Sequence, residues 1–137
     1  MSAFVLDASI TIGWMLERPV PARASMARKL IIAGEVPVVP VLWRHEVSTA
    51  VVISERRGRL TAAQVKTLTA DLEEFSDRVE VDPLNVRVSV LIDSARRTNL
   101  TVYDAAYLEL AARRRLPLAT LDDKLREAAR RAGLGLI

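Results

Sequence analysis

The residues FVLDAS, 4–9, give the first indication of how this chain folds. Phe4, Val5 and Leu6 form a short apolar run, which is typical of a strand that is buried on both faces of a sheet. The run ends on a carboxylate, Asp7. The same pattern returns in LPLATLDD, residues 116–123, where a second apolar run stops at acid. Two acidic strand ends in a small protein indicate that a cation binds where the strands end.

Helical patterns alternate with strand patterns along the chain. Thr61 and Gln64 predict a capping box, and Gly34, Gly58 and Gly133 predict helix ends. This alternation predicts an α/β fold with a mostly parallel sheet and helices on both faces. We predict strands at 3–7, 36–39, 79–82 and 117–121, a further candidate strand at 134–137, and helices at 8–16, 22–33, 42–57, 62–75, 86–97, 103–115 and 123–132.

The composition narrows the class of protein. The 137 residues fit one domain, residues 1–137, with a core of its own. Half of the residues are hydrophobic, which predicts that a partner covers part of the apolar surface. The chain has no cysteine, so disulfides and thiolate metal sites are excluded. It shows neither a signal-peptide pattern nor an apolar run of ~20 residues, so we expect a cytoplasmic protein that does not enter the membrane.

The basic residues allow two interpretations. The formal charge is +3 and the isoelectric point is about 9.8. Arginine suits the carboxyl ends of helices, where it complements the dipole, and arginine clusters also suit an anionic polymer such as nucleic acid. The clusters are Arg56/Arg57/Arg59, Arg96/Arg97, Arg113/Arg114/Arg115 and Arg130/Arg131.

Two acids lie on predicted helices, and each has a structural alternative. Glu46 falls within the apolar stripe of LWRHEVSTAVVISERRG, where a carboxylate is costly unless it is paired, and the candidate partner is Arg57 or an arginine from another helix. Asp104 follows Thr101 by three residues at the start of a helix, so it fits an ordinary helix-capping role. The other interpretation is that both acids point into a polar cleft.

Asp122 and Asp123 lie at the start of the last helix, which Thr120 could cap. Capping does not explain why Asp7, Glu46, Asp104 and Asp122 all come where an element meets the core. Four such carboxylates would repel one another, and a divalent cation would remove that repulsion. Ligands that are all oxygen select Mg²⁺ or Mn²⁺ over zinc. The only histidine, His45, is expected to point away from Glu46 and is not expected to be a ligand.

Four motifs in order, VLDAS, PVLWRHEV, YDAAYLELA and LPLATLDDKL, resemble the PIN-domain ribonucleases and, more narrowly, the VapC toxins of toxin–antitoxin pairs. The resemblance covers nearly the whole chain. It assigns the acidic residues of the family to Asp7, Glu46, Asp104 and Asp122, and its small polar residues to Ser9 and Thr120. Asp123 stands where many relatives carry a basic or polar residue, so the resemblance leaves open which aspartate of the pair faces the metal.

The resemblance implies an α/β/α sandwich and metal-dependent cleavage of RNA. It also implies inhibition by a cognate VapB-like antitoxin and pairing as a homodimer through helices of the first half. Asp7, Asp104 and Asp122 would hold one or two Mg²⁺ or Mn²⁺ ions, with Glu46 as a ligand or a base. Ser9 and Thr120 would hold the aspartates by hydrogen bonds, and Arg113, Arg114 and Arg115 would contact RNA phosphates.

Two other classes of protein remain as alternatives. A receiver-like phosphoacceptor domain also binds Mg²⁺ with acids at strand ends, but it needs an acidic pair after the first strand and a phosphoacceptor aspartate after a middle strand. A catalytically silent PIN-like module for nucleic acid or protein would keep the fold and lose the acids. RNA incubated with the protein, with Mn²⁺ or with EDTA, separates all three.

Overall fold

The computed structural model describes residues 2–137, which form four strands and seven helices around one parallel sheet. The strands are β1 (Ala3–Leu6), β2 (Val36–Val39), β3 (Glu80–Val81) and β4 (Leu118–Ala119). The helices are α1 (Ala8–Leu16), α2 (Ala22–Ile32), α3 (Leu42–Arg56), α4 (Ala62–Ser76), α5 (Val88–Thr98), α6 (Val102–Arg114) and α7 (Asp123–Arg131).

The sheet has the strand order β3-β2-β1-β4, and every neighbouring pair is parallel. In β1, the consecutive residues Phe4, Val5 and Leu6 have no exposed surface. Successive strand residues point to opposite faces, so both faces of β1 are covered by helices. The predicted α/β/α sandwich is therefore confirmed, and its sheet is wholly parallel. Because β1 lies between β2 and β4, its carboxyl end lies in the middle of one sheet edge.

Local signals in the sequence account for most helix ends. Thr61 and Gln64 form the predicted capping box, in which each side chain bonds the backbone N–H of the other. Gly34, Gly58 and Gly133 follow helices with φ values of +102°, +74° and +75°. Only glycine adopts this backbone conformation without steric cost, so these residues stop α2, α3 and α7.

Three predicted elements are wrong in extent. The candidate strand at 134–137 is reduced to a single parallel bridge between Leu118 and Leu136. Strands β3 and β4 have two residues each, where four and five were predicted. The ladder beside β3 continues only through the N–H of Asp82, which donates to the carbonyl of Val39 at 2.8 Å. A short apolar run predicts that a strand is present, whereas the length of that strand depends on its pairing with the neighbouring strand.

None of the helices in residues 2–137 is both long and apolar enough to cross a membrane.

Candidate active site at the carboxyl ends of the strands

Asp7 is a buried carboxylate whose bonds come from neutral groups. Its side chain follows β1 and is 4% exposed. The Oδ2 atom accepts hydrogen bonds from the hydroxyls of Ser9 and Thr120, the latter at 2.7 Å. Asp7 occupies the N-cap position of α1, but its side chain makes no capping bond there. Within residues 2–137 it forms no ion pair with lysine or arginine. A buried charge that lacks a counter-charge is costly, so this carboxylate needs an explanation.

The two hydroxyls tie the end of β1 to the segment that follows β4. Ser9 Oγ accepts the N–H of Leu121 at 2.9 Å, and Thr120 Oγ1 accepts the N–H of Asp122 at 3.0 Å. The hydrogen bonds expected from Ser9 and Thr120 to an aspartate are thus present. Thr120 does not cap α7, contrary to the sequence-based alternative. Asp122 is the cap, since its Oδ1 atom accepts the N–H of Leu125 at 2.8 Å.

Glu46 reaches the same edge from α3, and its partner was not predicted. The Tyr107 hydroxyl of α6 donates to Glu46 Oε1 at 2.7 Å. The structural alternative, a pair of Glu46 with Arg57 or with an arginine of another helix, is wrong: among residues 2–137 Glu46 forms no ion pair, and its partner is the Tyr107 hydroxyl. Tyr107 has no exposed surface. A buried tyrosine hydroxyl normally has a partner, which is the one signal that could have indicated this bond.

Asp104 lies in the first turn of α6, where Thr101 is the capping residue. The Thr101 hydroxyl accepts the N–H of Asp104 at 3.1 Å. Asp104 itself is partly buried, and Leu108 and Ala111 on its face are buried, as predicted. Thr101 therefore accounts for the cap, and the carboxylate of Asp104 is not needed for it.

The pKa shifts of three acids include electrostatic repulsion from other members of the group. Burial raises the pKa of Asp7 above 3.8, the two hydroxyl bonds lower it in part, and the charge of Asp122 raises it again. Burial also raises the pKa of Asp104, and the charges of Asp122 and Asp7 raise it further. The pKa of Glu46 is raised by burial and by the charges of Asp7 and Asp104, against the bond from Tyr107. The acids thus form one negative cluster.

Other predicted site residues lie apart from this cluster. The side chain of Asp123 is 92% exposed and pairs with Arg23 at 3.4 Å. Arg113 bonds Asp82 and Glu109, both at 2.7 Å, and Arg114 pairs with Glu80. Arg115 takes a left-handed conformation at the carboxyl end of α6, away from Asp104 at its amino end. A contact of Arg113, Arg114 or Arg115 with RNA phosphates stays a prediction.

The acidic cluster fits a hard divalent cation in its chemistry. Asp7, Glu46, Asp104 and Asp122 offer only carboxylate oxygens, which is the donor type that Mg²⁺ and Mn²⁺ prefer. Among residues 2–137, however, no three His, Cys, Asp or Glu side chains converge closely enough to hold a metal. The donors match the ion in type and charge, and binding would have to draw them closer together.

Comparison with known proteins places the fold. The family model of the PIN domain matches residues 4–131. No curated protein sequence matches this chain. Among solved structures, PAE2754 from Pyrobaculum aerophilum is similar with a TM-score of 0.72 and 20% identity, over 93% of this chain and 86% of the other. FitAcB from Neisseria gonorrhoeae is similar with a TM-score of 0.66 and 17% identity, over 98% and 96% of the two chains.

Proposed function

Because this chain belongs to the PIN-domain family, we propose that it is a metal-dependent endoribonuclease that hydrolyses single-stranded RNA. PIN domains are usually metal-dependent nucleases. The observation that supports the proposal is Asp7, a buried strand-end carboxylate that accepts hydrogen bonds from neutral hydroxyls and whose charge raises the pKa values of Glu46 and Asp104. Membership of the PIN-domain family also argues against the alternative that this chain is a receiver-like phosphoacceptor domain.

We assign the metal to Asp7, Asp104 and Asp122. When bound, Mg²⁺ or Mn²⁺ would acidify a water molecule and offset the charge of the scissile phosphate. Ser9 and Thr120 donate to Asp7 Oδ2, which fixes the plane of that carboxylate. Two observations favour Asp122 over Asp123 as the ligand. Of the two, it is Asp122 whose charge raises the pKa values of Asp7 and Asp104. The side chain of Asp123 is exposed to solvent.

Glu46 has a distinct role in the proposal, as the base. Tyr107 holds one of its carboxylate oxygens, and the raised pKa of Glu46 makes it a stronger proton acceptor than an ordinary glutamate. The water oxygen bonds to phosphorus, the bond from phosphorus to the 3′ oxygen breaks, and the leaving oxygen takes a proton. The products are a 5′-phosphate and a 3′-hydroxyl. A chain without cysteine offers no thiolate for a covalent route.

The test is cleavage of a single-stranded RNA with Mn²⁺, with Mg²⁺ and with EDTA. We expect cleavage with either metal, none in EDTA, and 5′-phosphate and 3′-hydroxyl ends. Asp7→Asn should lower the rate at least ~100-fold, as expected when a metal ligand is lost. Asp123→Asn removes the same charge one residue from Asp122, and its rate should stay within about threefold of the parent rate. RNA that is bound but never cleaved would favour the silent module instead.

We further propose that the chain is the VapC-like toxin of a toxin–antitoxin pair, acting in the cytoplasm as a single domain and pairing as a homodimer. Its antitoxin would place an arginine or lysine near Asp7 and Asp104 and cover exposed apolar side chains. Such side chains occur in the first half of the chain, among them Met26, Ile32 and Val52. Expression of this chain alone should arrest growth of its host, and harmless expression would count against the toxin proposal.

A further inference from the structure

Tyr103 is the exposed aromatic residue among residues 2–137. The sequence has two tryptophans, two tyrosines and two phenylalanines. Five of these six residues are buried or half-buried and belong to the core: Phe4, Trp14, Trp43, Phe75 and Tyr107. The ring of Tyr103, in contrast, is 64% exposed. A single exposed aromatic side chain is not unusual in itself, so its position on α6 carries the argument.

Tyr103 lies in the first turn of α6, the same turn as Asp104. It precedes Asp104 directly, and it stands four residues before Tyr107 on α6. Residues four apart share a helix face, and helical side chains tilt toward the amino end. Tyr107 reaches Glu46, and the rise of four residues places the backbone of Tyr103 about 6 Å farther toward the amino end of the same face. The exposed side chain of Tyr103 is therefore expected to border the cluster on its solvent side.

We propose that a base of the RNA, next to the scissile phosphate, stacks on the ring of Tyr103. This inference rests on the proposed function. The cluster is acidic, so it attracts no phosphate until a cation is present, whereas stacking on an aromatic face is neutral and works with every base. An RNA strand whose phosphate lies over the cluster would place a neighbouring base within reach of a side chain that adjoins Asp104.

The surface around Tyr103 favours RNA over a protein partner. On α6 itself the exposed large apolar side chains are Tyr103 and Val102, the latter 44% exposed. Stable protein interfaces bury about 800 Å² on each partner, which is far more than two side chains supply. A single base needs only one ring.

The test measures binding of a labelled single-stranded RNA by fluorescence anisotropy. All proteins carry Asp7→Asn, so the RNA stays intact. In that background, Tyr103→Ala should weaken binding about 5-fold to 100-fold, whereas Tyr103→Phe, which keeps the ring, should stay within about twofold. Ile32→Ala is the control, because Ile32 is 73% exposed at the end of α2, just before the amino end of β2, whereas the cluster lies at the carboxyl ends of the strands. It should bind like its background.

A scan with one abasic nucleotide at each position of the RNA makes the test specific. At one position the missing base should weaken binding to the protein with Tyr103 and leave the Tyr103→Ala protein unaffected. Equal binding by the alanine variant would overturn the inference, as would an abasic penalty that is the same in both proteins. A changed oligomeric state of Tyr103→Ala with unchanged RNA affinity would also overturn it, in favour of a protein contact. If RNA binds through Tyr103 but the parent never cleaves it, the stacking inference stands and the nuclease proposal fails.

Discussion

Two aspartates at strand ends show how the same residue can be used in two ways. Asp7 follows β1 and Asp82 follows β3, and the two are almost equally buried, at 4% and 6% exposure. Asp82 accepts two bonds from the guanidinium of Arg113, at 2.7 and 3.3 Å. Asp7 accepts its bonds from hydroxyls, which carry no charge. The charge of Asp82 is neutralised by Arg113, whereas the carboxylate of Asp7 is oriented by hydroxyls that do not neutralise it.

This difference separates a structural carboxylate from a candidate ligand better than burial or position does. Hydroxyl donors fix the direction of a carboxylate and leave its charge available to a cation. An arginine fork occupies both oxygens and cancels the charge. The partner of a buried acid is therefore the feature to examine first when a PIN domain is studied for activity.

The largest effect on folding is expected at Asp82. Asp82→Asn leaves Arg113 facing a neutral group, although Glu109 still pairs with it at 2.7 Å and part of the guanidinium is exposed. We expect a loss of about 2 kcal/mol in the free energy of unfolding, below the range for fully buried pairs. Urea denaturation measures it. Asp93→Asn breaks an exposed pair with Arg97 and should cost less than about 0.5 kcal/mol. If both variants cost the same, Asp82 would not be the structural carboxylate we describe.

Glu46 extends the comparison, because its partner is also a neutral hydroxyl. Tyr107→Phe removes that donor and should lower the cleavage rate about tenfold, as expected when the group that orients a catalytic residue is lost. The bond lowers the pKa of Glu46, so its loss should raise that pKa and move the acid limb of the pH–rate profile to higher pH. A slower enzyme with an unshifted profile would mean that Tyr107 only supports the fold.

The smallest effect is expected from Asp7→Asn in EDTA, where the variant should be more stable than the parent by about 1 kcal/mol. The folded protein raises the pKa of Asp7, so the carboxyl favours folding below its unfolded value near 3.8 and loses that contribution as the pH rises through the raised pKa. The advantage of the variant should therefore appear above about pH 4 and grow as the pH rises through the raised pKa.

Mn²⁺ should reverse this order, since it binds the folded parent and stabilises it. Thermal melts of both proteins in EDTA and in Mn²⁺, at several pH values, measure the difference. Equal shifts with metal in the two proteins would show that Asp7 is not a ligand.

The sequence predicts the fold well because its signals are local. Helices α1 and α3 begin at the predicted residues, and Gly34, Gly58 and Gly133 stop helices through backbone conformations that glycine allows. The parallel sheet follows from the alternation of elements. Strand length was predicted less well, since it depends on the neighbouring strand and not on the strand's own residues.

The partners of the acids could not be predicted, because they come from distant segments. Glu46 and Tyr107 are 61 residues apart, and Asp82 and Arg113 are 31 apart. The periodicity of one helix cannot show which hydroxyl or guanidinium a second helix brings to it. For the same reason, the sequence predicted RNA contacts for Arg113 and Arg114 and could not show their acidic partners. In the folded chain Arg113 pairs with Asp82 and Arg114 with Glu80.

The hydrogen bond from Thr120 to Asp7 joins residues that are 113 positions apart. Chains emerge from the ribosome amino end first, at about 5–20 residues per second. Asp7 therefore leaves the ribosome well before β4 and the Thr120 hydroxyl that completes its surroundings. The acidic cluster cannot assemble until the segment that holds Thr120 and Asp122 has also emerged, so a chain that stops short of this segment should fold without the cluster and show no nuclease activity.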